Sequence, residues 1–472
     1  MRRSTTAALG SLLLLACAHF PTNAPLDRYD PAYGYRVSAT SGDTDDSQQL
    51  LLIVHFSGGG TRAAAFAYGA LLALRDARVR FDGRVRSLAD EIDILASVSG
   101  GSFTAAYFAL NGARIFDDFE AQFLRRDIQG ALLWRLLLPW NWLRIASPYF
   151  GRSDLAAEYY DDQLFHGATL GDLLRGDGPA LLINATDMTL AARFTFDQEQ
   201  FDLLCSDTMH FPIARAVAAS SAVPLALSPV TLKNYAARGC GYEPPDWVRE
   251  EIGRGYSSSR LHQEAVRIAE YRGAAPDSYV HLLDGALADN LGLRSTIEKS
   301  IEAGGYGRLA EIAGFKHFRR VAFLVINAQT ESIREWTRSA SPPSTLDVLT
   351  SATTVTLNRY NFETVDLFRQ NLDRLVAEIR DARCRAGAGS SAASDCGDVA
   401  AHLIEVSFAQ HPDPAERTYL NELPTTLDLS PEQLERTINA ARTILAASPE
   451  FHALLRDLEQ LPEAHSKRDG YE

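Results

Sequence analysis

The seven residues Leu50-Leu51-Leu52-Ile53-Val54-His55-Phe56 run without polar alternation and stop at Ser57-Gly58-Gly59-Gly60. An unbroken apolar run of that length, closed by glycines, is expected of a strand buried on both faces. Such strands belong to parallel sheets covered by helices. The sequence that follows agrees. Residues 62–75, rich in Ala and Leu, predict a helix; 92–96 predict a second buried strand; 101–110 begin another helix. Strand–helix–strand–helix implies an α/β fold with a central, mostly parallel sheet flanked by helices. Further strands are predicted at 180–188, 193–201, 278–286 and 319–329, and a long helix at about 344–382. The last helix opens with Ser430 as N-cap, Pro431 at its first position and Gln433 completing a capping box, and carries the apolar stripe Leu434, Ile438, Ala441, Leu445.

The formal charge of −14, from 46 basic and 60 acidic residues, argues against nucleic acid as the partner, because phosphate binding is dominated by Lys and Arg. Near the start, Arg2 and Arg3 precede an apolar stretch ending in Leu14-Leu15-Ala16-Cys17. The stretch has the form of a secretory signal and is too short to span a bilayer as a helix. Its end resembles a bacterial lipobox, in which the cysteine is acylated and becomes the first residue. Ala18, not Asp, follows, and that implies sorting to an outer membrane. With Cys17 so used, Cys205, Cys240, Cys384 and Cys396 remain. An even count in an exported chain suggests two disulfides, with three pairings open. The Ala/Gly/Ser stretch between Cys384 and Cys396 favours joining those two, leaving Cys205 with Cys240. No spacing matches a zinc site or a calcium loop.

Three stretches bear on chemistry. Ser97-Val98-Ser99-Gly100-Gly101 approximates the G-x-S-x-G elbow, with Ser97 in place of the first glycine. An elbow nucleophile sits in a strained turn between strand and helix, so its neighbours two residues away must be small. Ser97 meets that need, and Ser99 would stand at a helix start, where free N–H groups favour negative charge. Gly58-Gly59-Gly60-Thr61-Arg62 lacks the Lys-Ser or Lys-Thr of a phosphate loop. It fits an oxyanion hole, since glycines let N–H groups converge without Cβ obstruction. Gly58 precedes Ser99 by 41 residues, about one helical crossover, which brings both loops to one end of the sheet. Asp284-Gly285-Ala286 ends an apolar strand and is expected at the sheet's carboxyl edge. Taken singly, each stretch is equally well a plain turn.

Together, in this order, they resemble the bacterial patatin-like phospholipases, over about residues 48 to 330. The block 214–230, with Ser220, Ser221 and Pro224, is similar to that family's A-S-x-A-x-P segment. The resemblance implies a three-layer patatin-like fold with a helical C-terminal extension. It implies a Ser99–Asp284 dyad, an oxyanion loop of Gly58, Gly59, Gly60 and Arg62, no cofactor, and an acyl-ester lipid substrate. For Arg62, positioning the loop and a salt bridge at the helix start are both open. The expected organisation is a signal peptide at 1–16, a tether at 17–46, a catalytic domain at 47–330 with insertions near 113–165 and 233–277, and a mainly helical region at 331–472 packed on it. The expected location is the bacterial cell envelope, anchored by lipid at Cys17; nothing in the sequence sets the oligomeric state.

Two rival functions remain. An α/β-hydrolase triad would draw its histidine from His317, His402 or His411, with His55 and His281 read as structural. A lipid-binding lipoprotein of the same fold would have no reactive serine. One further stretch, Leu132 to Phe150 (LLWRLLLPWNWLRIASPYF), holds Trp134, Trp140 and Trp142, three of the chain's five tryptophans. Packing against the core is its default reading. The alternative is a lid or docking surface for lipid, broken in two by Pro139.

Overall fold

The computed structural model describes residues 23–40, 47, 49–81, 83–147, 150–315, 318–330, 340–386 and 396–461. The expected signal segment 1–16, Cys17, His317 and Tyr149 lie outside the described residues. Along the chain come β1 (Leu50–Phe56), α1 (Gly60–Asp76), the hairpin of β2 (Arg78–Phe81) and β3 (Arg84–Ser87), β4 (Ile92–Val98) and α2 (Gly100–Asn111). Next are α3 (Ile128–Leu137), α4 (Pro139–Ile145), α5 (Arg152–Tyr160), β5 (Ala180–Asp187), β6 (Ala192–Thr195), α6 (Ile213–Ser220), β7 (Val230–Lys233) and β8 (Tyr279–Asp284). β9 (Arg320–Asn327), α7 (Thr345–Ala386), β10 (Ala400–Ser407), α8 (Pro431–Ala447) and α9 (Pro449–Glu459) complete the set used below.

The sheet runs β10-β9-β1-β4-β5-β8-β7, with β6 also on β5. β10, β9, β1, β4 and β5 are parallel; β8 is antiparallel to β5, and β7 to β8. β1 is buried at all seven positions, as its unbroken apolar run requires. Its side chains divide by the period of two. Leu50, Leu52, Val54 and Phe56 join one apolar cluster with Ala63 and Phe66 of α1 and Ile444 of α8. Leu51 and Ile53 join another with Val365, Phe368 and Leu375 of α7. Helices therefore cover both faces, and the result is a three-layer α/β fold.

Several elements differ from expectation. The stretch 193–201 is not one strand: β6 stops at Thr195, and Asp197 caps a helix over Gln198–Leu203 by accepting from Gln200 N–H at 2.8 Å. β10 was not expected. It pairs with β9 along its whole length, so the boundary placed at residue 330 runs between two bonded strands of one sheet. The tether reading does not hold over residues 23–40. Leu26 N–H donates to Cys205 C=O at 2.8 Å and Tyr29 N–H to Cys240 C=O at 2.7 Å. Tyr35 is buried and its hydroxyl donates to Leu181 C=O at 3.0 Å. Disulfides join Cys205 to Cys240 and Cys384 to Cys396. Among the described residues no helix is long and apolar enough to cross a membrane.

Candidate active site

β4 ends at Val98 and α2 begins at Gly100, so Ser99 alone makes the turn, at φ 50° and ψ −123°. That backbone is costly for a residue with a Cβ and is sustained only where the surroundings fix it. They do so here. Ser99 N–H donates to Ser220 Oγ at 2.8 Å, and Ser220 Oγ donates to Asn184 C=O on β5 at 2.6 Å. Ser102 Oγ lies 3.0 Å from the same hydroxyl. Ser97 is fully buried with its Oγ 3.4 Å from Leu182 C=O, so a serine fits where glycine is usual. No substitute fits at Gly101: a Cβ there would lie 2.7 Å from Ser57 C=O and 2.8 Å from Phe56 Cβ.

Ser99 Oγ donates to Asp284 Oδ2 at 2.7 Å. Asp284 Oδ1 accepts from Ala286 N–H at 2.9 Å, and the Asp284 backbone is held by Ala222 C=O at 3.0 Å and by Thr186 Oγ1 at 2.8 Å. Asp284 was expected at the carboxyl edge of the sheet. It lies there on a strand that runs the other way: Ala185 pairs with Asp284, and Val98 with Asn184, so the antiparallel β8 brings the carboxylate level with the end of β4. Burial pushes the Asp284 carboxyl up to about 6, against the opposing pull of the Ala286 and Ser99 hydrogen bonds. A base in that range is still ionised at neutral pH and is stronger than an ordinary carboxylate.

The glycine loop packs against the elbow. Gly60 is at φ 63°, and a Cβ on Gly100 would lie 2.0 Å from Gly60 C=O, so both positions exclude side chains. Gly58 N–H, expected as an oxyanion donor, is already bonded to Asn290, with C=O at 3.2 Å and Oδ1 at 3.1 Å. Among the described residues no acceptor is bonded to the N–H groups of Gly59, Gly60 or Gly100. Among the described residues Arg62 makes no salt bridge at the helix start. Its guanidinium donates to Ala328 C=O at 3.0 Å, Leu423 C=O at 2.6 Å and Thr425 Oγ1 at 3.0 Å. Arg62 thus ties the glycine loop to residues 423–425, and Thr61 N–H adds a bond to Thr426 C=O at 2.9 Å. Asn290 and Thr186 were not singled out from the sequence, and the stretch 415–435 was noted only as similar to the end of some family members, with no place in the site. They act through hydrogen bonds between distant segments, which leave no local pattern.

Gly60, Ser99 and Gly100 open into a cavity of about 360 Å³, lined mainly by apolar side chains such as Leu132, Leu136, Leu155 and Leu227. Thr425, Thr426 and Leu427 complete its wall from the C-terminal region. No histidine lines it among the described residues. His402 pairs with Asp457 at 2.8 Å, His411 Nδ1 accepts from Asp413 N–H at 3.2 Å, His281 contacts Thr231 at 3.0 Å, and His55 is buried in β1. The arrangement has what acyl transfer needs: a positioned hydroxyl, a carboxylate base on it, unspent N–H donors beside it and an apolar chamber.

Residues 54–297, just over half of the chain, match the family model described as patatin-like phospholipase. No curated relative matches the sequence. Among solved structures the chain is similar to human GIVD cytosolic phospholipase A2, with 14% identity over 89% of this chain and 62% of that one and a TM-score of 0.38. It is also similar to that protein in complex with methyl gamma-linolenyl fluorophosphonate, with 14% identity over 90% and 62% and a TM-score of 0.42. The chain thus spans less than two thirds of the length of these structures.

Proposed function

The chain belongs to the patatin-like phospholipase family, and from that membership we propose that it is a serine hydrolase of lipid acyl esters, of phospholipase A or lysophospholipase type. The observation that carries the proposal is the 2.7 Å hydrogen bond from Ser99 Oγ to the buried Asp284 carboxylate at a strained elbow. Asp284 takes the hydroxyl proton as Ser99 Oγ attacks the ester carbonyl. The tetrahedral oxyanion receives the N–H groups of Gly60 and Gly100, with Gly59 beside them. Each such donor is worth about 10²–10³ in rate. Asp284 returns the proton to the departing alcohol, leaving an acyl-Ser99 ester. Water enters, gives a proton to Asp284 and attacks the acyl carbon; the proton then goes back to Ser99 as the fatty acid leaves.

The proposal includes a lipid on Cys17 and residence in a bacterial envelope, outer-membrane sorting being what the residue after the cysteine implies; mass spectrometry of the native N-terminus checks it, and an unmodified terminus other than Cys17 refutes it. The hydrolase reading is tested with a fluorophosphonate probe. Covalent labelling is expected on Ser99 and absent in Ser99→Ala. Failure of the folded wild-type chain to label would refute a reactive serine.

A further inference from the structure

α3 and α4 are built inside out for a surface in water. The buried residue of α4 is Asn141, whose Nδ2 donates to Arg135 C=O at 2.7 Å. Its large apolar side chains face outward: Trp140 is 60% exposed, Trp142 57% and Leu143 62%. On α3, Leu133, Trp134 and Leu137 are exposed to similar degrees. The core-packing reading therefore fails for the three tryptophans, while Phe150 is buried and Leu132 packs against the core. Polar pins hold the pair in place: Trp142 Nε1 donates to Leu136 C=O at 2.7 Å, and Arg135 pairs with Asp162 at 2.7 Å. Pro139 separates the two helices, so both present their rings without a continuous axis.

The patch adjoins the Ser99 cavity. Leu132, Leu133 and Leu136 line that cavity, and Val223, also exposed, lines it from the loop after α6. Leu225 in the same loop is 70% exposed at φ 71°, an apolar side chain held outward in a backbone conformation that disfavours it. One charge lines the cavity, the half-buried Arg152 at the start of α5. Among the described residues it has no carboxylate or hydrogen-bond partner, whereas Arg135 and Arg144 nearby are paired with Asp162 and Glu158.

We propose that α3, α4 and the Val223–Leu225 turn dock on a phospholipid bilayer, and that Arg152 takes the phosphate of the lipid entering the cavity. Exposed apolar patches mark contact surfaces, and indole rings with a polar edge suit the bilayer interface. The cavity's combination of apolar walls and a single cation, unpaired among the described residues, matches a chain joined to a phosphate, a ligand that esters lacking a phosphate do not provide. The substrate assignment rests on the hydrolase reading; the docking does not.

The full chain with Trp247→Phe and Trp336→Phe leaves the three patch tryptophans as reporters. With phosphatidylcholine vesicles carrying brominated acyl chains, their emission is expected to shift to the blue and be quenched. Absence of quenching, or a dimer in sedimentation that already buries the rings, would overturn docking. Trp140→Ala with Trp142→Ala is expected to weaken vesicle binding at least about tenfold and leave cleavage of a soluble short-chain ester unchanged. Equal loss on both, with a lower Tm, would return these residues to a structural role. For Arg152, the Ser99→Ala chain is titrated with octanoyl-lysophosphatidylcholine and with mono-octanoylglycerol below their aggregation limits. Arg152→Gln is expected to weaken the first about tenfold and spare the second; equal affinities before and after would overturn the phosphate assignment. Quenching and binding need no turnover, so failure of the hydrolase reading is seen separately.

Discussion

Among the described residues Asp284 has no cationic partner, and it is buried; its chemistry follows from that. In its proposed role as the base it must be ionised, so kcat/KM is expected to rise with pH and level off above about 6. A profile flat down to pH 4 would show that another group accepts the proton. The same burial has a cost in stability. The folded chain holds the Asp284 proton up to about pH 6, whereas an ordinary aspartate releases it near 3.8. Stability therefore falls as pH rises through that window, by about 3 kcal/mol in all. Asp284→Asn should abolish turnover and raise the Tm at pH 8 while leaving it unchanged at pH 4, as differential scanning calorimetry would report. Ser99→Ala should match its kinetic loss without adding to it, because the two side chains act as a unit. Both residues were legible in the sequence, since an elbow and an Asp-Gly after a strand are local patterns. The occupation of Gly58 N–H by Asn290 was not, because the partners are 232 residues apart.

At the scale of elements, the site is a junction of three strand ends and α6. Ser220, at the end of α6, bonds the backbone of Ser99 and of Asn184 and accepts from Gly285 N–H through its own C=O at 3.1 Å. Ser220→Ala takes the hydroxyl away from Ser99 N–H and Asn184 C=O in a dry place and leaves the Gly285 bond, which is to backbone. It is expected to cost about 1–3 kcal/mol in denaturant unfolding and to lower kcat more than it raises KM; an unchanged kcat would mean that the elbow holds itself. The parallel core was readable because β1, β4 and β9 are predominantly apolar, with few polar residues to break their runs. β10 was not, because it is an edge strand: Ile404 and Val406 are buried but His402 and Glu405 are partly exposed, and its pattern is diluted accordingly. The hairpin of β2 and β3 left an Asp-Gly turn signal at 82–83 that alternates correctly on both sides; its four-residue strands are shorter than the runs that mark a core strand.

For the whole molecule, the C-terminal region is part of the site and not an appendage. β10 extends the sheet, Gly69 of α1 packs so close to α8 that a Cβ would lie 2.2 Å from Ile438 C=O, and Leu423 and Thr425 hold Arg62. A chain ended at residue 330 should lose probe labelling at Ser99 and expose its core to a hydrophobic dye. A truncated chain that still labels would show the first 330 residues to be self-sufficient. The packed segment at 23–40 has a separate outcome. If Cys17 bears lipid, only the six steps from Cys17 to Asn23 separate the bilayer from the folded body, a reach of at most about 20 Å. A molecule on so short a leash works in two dimensions: its rate is set by how densely ester lipid is spread in its own leaflet, and bulk concentration drops out. Acylated protein reconstituted into vesicles should consume lipid in the bilayer that holds it and leave lipid in separate vesicles intact; equal consumption of both would show that the leash does not confine it.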